Sequence, residues 1–427
     1  MHPLTWLFLA AVLGSAALEL WLAARQARHL RRHAEAVPPA FERVVTPAAH
    51  RRAVDYALAR LRVARVGTVW EALLVLGWTL GGGIAVADRL WRAAGLEGAA
   101  LGAAVIVTVV LAHTALGLPL AAWRTFGVEA RFGYNRATPA LFAADAVRGG
   151  LLLVAIGWPL AWVLVRLMNA AGPLWWLWAW GVWVAFGALM AWAWPALIAP
   201  LFNRFTPLED EVLRRRIEGL LERSGFRSRG VYVMDGSRRS THGNAWFAGL
   251  GRSRRIVLYD TLLERLVPGE VEAVLAHELG HYRHGHVRRR LLRSALAALA
   301  GFALLGWLAG TPWFHAALGV PEPSPHAALL LFAFAVPPFL TPLTPLAAWF
   351  SRRDELEADA FAARAADAGA LAHALVKLYR DNGTPLTTDP LWSAFHDSHP
   401  PPQARIARLA GPDAGPSPAV ATTGLRG

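Results

Sequence analysis

Seven stretches of this 427-residue chain are long and apolar enough to cross the hydrocarbon core of a bilayer, each near the ~20 residues that a spanning helix needs. They run over roughly 3–24, 68–88, 97–122, 150–170, 174–199, 291–311 and 327–350, and they predict a polytopic, mainly α membrane protein. Composition agrees. Hydrophobic residues make up 55% of the chain, charged residues only 17%, and the mean hydropathy is +0.34, far from a soluble average. The 20 Trp residues fit, because indole rings favour the water–lipid interface. The first stretch lacks a basic leader and a small-residue cleavage site, so it is expected to remain as a span. Pro337, Pro338, Pro342 and Pro345 crowd the last stretch and predict a kink or break there.

Arginine sets the expected orientation. The segment 25–67 carries ten arginines, from Arg25 to Arg65, whereas 312–326 has neither Arg nor Lys. By the positive-inside rule the N-terminus lies outside, and 25–67, 123–149, 201–290 and 351–427 face the cytoplasm. The net charge of +13 would suit nucleic acid, but these arginines flank apolar spans, where anionic headgroups are the nearer partner. The expected partners are therefore the lipid bilayer and a substrate, and no nucleic acid. Lys377 is the only lysine, a bias that hints at a high-GC bacterial genome and hence an inner membrane. The chain has no Cys, which excludes disulfides and thiolate ligands and leaves His and carboxylates for any metal.

The segment 201–290 is large enough to fold outside the membrane. Residues 208–226 have apolar positions at helical spacing, and 230–235, 244–251 and 254–260 read as strands, with a hairpin turn near Gly251, Arg252 and Ser253. A helix over 268–286 starts at Pro268, which suits a first helical turn. It carries His277, Glu278 and His281 in the run HELGH. Residues four apart share a helix face, so the two imidazoles can hold one Zn²⁺ while Glu278 stands beside it to accept a proton from water. A plain core helix would need other partners for two imidazoles and a carboxylate in an apolar run. His284 and His286 extend the cluster and are read as local hydrogen-bonding groups, since hydrolytic zinc takes three protein ligands.

The third ligand must come from elsewhere. In SRRDELEADAF (351–361), Glu355 and Asp359 lie four apart on a predicted helix, so both face one way while Glu357 points another. One reading makes Glu355 the third ligand and Asp359 the acceptor that orients a histidine through its free ring N–H. The other makes them a solvated acidic face paired with Arg352 and Arg353.

The chain resembles the type I CAAX prenyl endopeptidases, multi-spanning zinc proteases that trim prenylated C-terminal tails. The resemblance runs through RTFGVEARFGYNRATPALFAAD (124–145), LFNRFTPLEDEVL (201–213), DGSRRSTHGNAWFAGLGRSRRIVLYDTLL (235–263), VLAHELGHYRHGHV (274–287), SRRDELEADAF (351–361) and FHDSHPPPQARI (395–406), in that order. It implies one Zn²⁺ per chain, held by His277, His281 and Glu355, with Asp359 in support and Glu278 as general base. It implies that Asn244, with Ala245 beside it, lies on an edge strand that grips substrate backbone. Alone, Asn244 would be a turn residue. His399 is implied to stabilise the oxyanion and Arg405 to lie near the substrate's C-terminal end, where otherwise both would be surface residues of a Pro-rich loop. The fold implied is a helical barrel around a large chamber, into which Glu19, Glu71 and Glu129 would face, or sit at helix ends.

The expected division is a five-helix membrane domain over 1–200, a zincin-like α+β domain over 201–290 and two more spans over 291–350. A ligand-bearing C-terminal part over 351–410 and a disordered tail over 411–427 complete it. The expected reaction is zinc-dependent hydrolysis of peptides or proteins, prenylated or not, near their C-termini. Three other readings compete: a membrane quality-control metalloprotease, a transporter or channel with an incidental HExxH, and a catalytically dead scaffold.

Overall fold

The structure, a computed structural model, describes residues 2–226, 228, 230–248 and 255–410. Helices α1 (Pro3–Arg32), α2 (Pro47–Trp78), α3 (Gly83–Ala93), α4 (Gly98–Ala122), α5 (Pro139–Ala170) and α6 (Trp175–Ala193) come first, followed by the short α7 (Ala199–Phe202). Their starts are written locally. Thr46 and Thr138 accept hydrogen bonds from the N–H groups of Ala49 and Leu141, and Pro47 and Pro139 fill the first helical positions, where an N–H has no intrahelical partner.

Among the described residues six helices are long and apolar enough to cross a membrane, and α2 with α3 makes a seventh if taken as one bent span. The expected second span is therefore broken. α2 and α3 meet at 48° across Gly81 and Gly82, where Gly82 takes φ 78°, a left-handed conformation that costs glycine little. The segment 123–149, expected as a loop, continues α4 through a π-helical turn at Trp123–Glu129 before α5 begins.

A small α+β unit follows: β1 (Phe205–Pro207), α8 (Glu211–Arg223), β2 (Val231–Met234), β3 (Ala245–Ala248), β4 (Arg255–Tyr259), α9 (Asp260–Leu263) and α10 (Pro268–Arg283). The strand order is β1-β2-β4-β3, with β2 parallel to β4 and the other two pairs antiparallel. β3 is thus an edge, in register through Trp246 with Val257. β1 was not anticipated, because three residues that include a proline carry no alternation. The turn expected near Gly251, Arg252 and Ser253 and the tail from Gly411 lie outside the described residues. Ile217, Leu220, Ile256, Leu258, Leu262 and Leu275 are fully buried in the core of this unit, each contributing about 1.5–3 kcal/mol.

The chain continues through α11 (His286–Ala309), α12 (Pro312–Ala317), α13 (Pro325–Leu340) and α14 (Thr344–Ala365), then α15 (Ala368–Asp381), α16 (Pro390–His396) and α17 (Pro402–Ala410). A 3-10 turn at Thr341–Leu343 separates α13 from α14, the break that the prolines predict. α1, α2, α4, α5, α6, α11 and α13 form a closed ring, each packed on the next and α13 back on α1. Phe8, Val75, Leu101, Leu164, Leu305 and Leu331 seal one end with an apolar core. Leu7, Leu73, Leu151, Trp178, Leu292 and Trp307 stay exposed along the helices, an apolar exterior suited to lipid. At the other end Arg25 pairs with Asp389, and Asp145 pairs with Arg239 at 2.8 Å, so the segments expected to share one side do meet there. At this end lies a cavity of about 900 Å³, lined by Leu30, Leu61 and Leu120 on the membrane helices and by residues of the α+β unit.

Candidate metal centre and substrate cavity

α10 packs lengthwise on α14, and the sequence permits a very close approach at Gly280. A Cβ there would stand 2.8 Å from the Cα of Ala358 and 3.0 Å from its carbonyl oxygen. The contact brings Glu355 and Asp359 of α14 against the HELGH face. His277 Nε2 lies 3.2 Å from His281 Nε2 and 3.3 Å from Glu355 Oε2, and His281 Nε2 lies 3.3 Å from Glu355 Oε1. Four ligands held tetrahedrally at about 2.0–2.1 Å from Zn²⁺ stand about 3.3–3.4 Å apart, so these separations fit the edges of one such site. Glu355 is buried, and its Oε2 has no hydrogen-bond partner among the described residues, as suits an oxygen kept for a cation. The donor set, two imidazoles and one carboxylate, is that of hydrolytic zinc with a position left open.

The surrounding contacts orient these groups. His277 Nδ1 is 2.8 Å from Asp359 Oδ1, and Arg405 holds both oxygens of Asp359 at 2.6 Å through Nε and Nη2. Burial disfavours a charged His277, but the nearby Asp359 and Glu355 carboxylates outweigh burial and hold its pKa up to about 9. Glu278 is shifted the opposite way relative to its charge: burial pushes its carboxyl up, and His277 and His281 only partly offset that. Arg405 was expected near the substrate. The structure buries it on Asp359, with its guanidinium also 3.6 Å from Glu355 Oε2.

One cavity gathers the rest. His277, Glu278, Asn244, Ala245, His399 and Arg405 all line it. Asn244 is exposed at the start of edge strand β3, and the preceding Gly243 is held by Asn382, whose Oδ1 accepts from its N–H at 3.1 Å. His399 Nε2 is 3.4 Å from Glu355 Oε1. Arg352 anchors the segment before it, donating to the carbonyls of Ser393 and Asp397. The solvated-face reading does not fit Glu355 and Asp359, which are buried; Glu357, on another face of the helix, pairs with Arg353 and Arg289. Glu19 pairs with His396, Glu71 faces His113 at 3.5 Å, and Glu129 accepts from Tyr56 Oη at 2.6 Å. Sequence reasoning missed Asn382 and the Asp359–Arg405 clamp; the ARI of the last motif was the one available sign of the clamp.

A ring of membrane helices that closes over an HExxH helix and a carboxylate from a second helix defines an integral-membrane metalloprotease. Residues 26–204 match the family described as CAAX prenyl protease N-terminal, five membrane helices, and residues 207–413 match peptidase family M48. The CAAX prenyl protease 1 homolog of Oryza sativa is 35% identical, covering 69% of this chain and 70% of its own. CAAX prenyl protease 1 of Saccharomyces cerevisiae is 33% identical over 69% of each, and the human homolog is 32% identical over 69% of this chain and 70% of its own. The crystal structure of S. mikatae Ste24p superposes with a TM-score of 0.90 at 26% identity, covering 96% of this chain and 99% of that one. The chain belongs to the CAAX prenyl protease family of M48 membrane metalloendopeptidases.

Proposed function

We propose that this enzyme hydrolyses a peptide bond near the C-terminus of prenylated substrates, using one Zn²⁺ held by His277, His281 and Glu355. The observation that carries the proposal is the tetrahedral spacing of the three ligand groups at a cavity that Glu278 also lines. Zinc in such a site acts as a Lewis acid that polarises the scissile carbonyl and makes water a stronger nucleophile. Glu278 takes the proton as the water oxygen attacks the carbonyl carbon, then delivers it to the amine nitrogen as the C–N bond breaks. A carboxyl raised by burial is suited to both transfers. The open edge of β3 at Asn244 and Ala245 pairs with the extended substrate backbone. His399 aims an N–H at the developing oxyanion, and Asp359 with Arg405 holds His277 in one tautomer.

The apolar wall of the cavity, with Leu30, Ala57, Leu61, Val63 and Leu120, supports a lipidated tail, and the names of the relatives point the same way. The arginine-rich segments support a site on the cytoplasmic side. The test compares a farnesylated CAAX peptide, its unprenylated counterpart and an unfolded membrane protein as substrates of purified, zinc-assayed enzyme. Preference for the farnesylated peptide with about one zinc per chain is expected. Equal cleavage of all three, or preference for the unfolded protein, would replace this reading with membrane quality control.

A further inference from the structure

Among the buried groups that the hydrolytic reading leaves unused, one touches a proposed ligand. His286 lies five residues beyond His281, and on an unbroken helix two such residues point about 140° apart. They meet here because α10 ends at Arg283 and Gly285, at φ 66°, turns the chain before α11 begins at His286. The result is a contact of 2.8 Å between His281 Nδ1 and His286 Nδ1. His286 Nε2 in turn lies 3.2 Å from Glu357 Oε2, and Arg289 holds that same oxygen at 2.8 Å.

Only one arrangement of protons satisfies this chain if His281 Nε2 presents a lone pair to the metal. His281 then carries its proton on Nδ1 and donates it to His286 Nδ1. His286 must carry its own proton on Nε2 and donate to Glu357. We propose that His286 is a positioning residue that, anchored by Glu357 and Arg289, fixes the tautomer and ring orientation of His281 and raises its strength as a ligand. His277 has a carboxylate of its own, Asp359, for the same task; His281 reaches one only through a second imidazole. The alternative, a second metal at His286, Asp354 and Glu357, is disfavoured because Arg289 and Arg293 already neutralise both carboxylates, and His286 Nδ1 is turned to His281.

The proposal rests on the zinc reading above, and the test separates the two. Zinc content and zinc affinity by chelator competition are measured on the purified full chain and on His286→Leu and His286→Gln, together with thermal unfolding. Glutamine joins a donor and an acceptor as imidazole does; leucine has neither. His286→Leu is expected to weaken zinc about 10- to 100-fold, and His286→Gln to recover most of that loss. Equal affinity of His286→Leu and the unaltered enzyme would overturn the relay and leave the zinc site standing, as would equal losses for both variants. Absence of stoichiometric zinc from the unaltered enzyme would overturn the zinc reading itself.

Discussion

Two charged side chains beside His277 separate chemistry from support. Glu278 lines the cavity and makes no metal contact in the proposed mechanism, so replacing it should leave the metal in place. Glu278→Gln is expected to keep one zinc per chain and lose at least about 10²–10⁴-fold in peptide cleavage, the usual contribution of a positioned general base. Metal analysis with a fluorogenic peptide assay checks it, and full activity in the zinc-loaded variant would remove Glu278 from the mechanism. Arg405 is proposed to act through its neighbour. Its fork holds both oxygens of buried Asp359, and removing it leaves that carboxylate buried with His277 as its remaining partner, a loss of about 3–5 kcal/mol for a broken buried pair. Arg405→Leu should therefore lower the melting temperature and weaken zinc together. Arg405→Lys should rescue little, because an ammonium cannot bridge both oxygens. An unchanged melting temperature in Arg405→Leu would contradict the clamp.

At the scale of elements the site depends on how closely α10 and α14 approach. Gly280, the glycine of HELGH, faces the backbone of Ala358, and a methyl group there would overlap it. Backbone cannot swing aside as a side chain can, so Gly280→Ala should push the helices apart, cost about 1–3 kcal/mol and loosen Glu355 from the two histidines. Zinc affinity and thermal unfolding of the variant measure this; retention of both would mean that the helix pair adapts. The same pair shows what was legible beforehand. His277 with His281, and Glu355 with Asp359, repeat at four residues, so each helix announces its own polar face. Nothing local says that the two faces meet, because that pairing joins segments more than seventy residues apart and is set by the ring of helices between them. The resemblance to a family joined them. Asn382 on Gly243 and Arg405 on Asp359 are likewise contacts between segments distant in sequence, and β1 is too short to show a period.

The whole molecule is polarised along the ring axis. One end is sealed by the apolar core around Phe8, Leu101 and Leu331, and the other carries the α+β unit, α15 to α17 and the cavity. The spans were readable because continuous apolar helices announce themselves; the bend at Gly81 and Gly82 was not, because that stretch remains apolar through it. The proposed orientation, with the cavity end toward the cytoplasm, rests on charge. The arginines of 25–67 and of α8 gather at the cavity end, while the 312–326 segment at the sealed end has none, and moving a basic end across a bilayer is disfavoured. The chain has no cysteine, so single cysteines can report the orientation without background. Arg215→Cys on α8 and Glu322→Cys in the 312–326 segment both place the thiol at exposed positions outside the spanning helices. In intact cells a membrane-impermeant maleimide should label Glu322→Cys and should reach Arg215→Cys only after permeabilisation. The reverse pattern would turn the cavity outward, and an enzyme so oriented could not meet prenylated tails made in the cytoplasm, so this labelling also bears on the substrate.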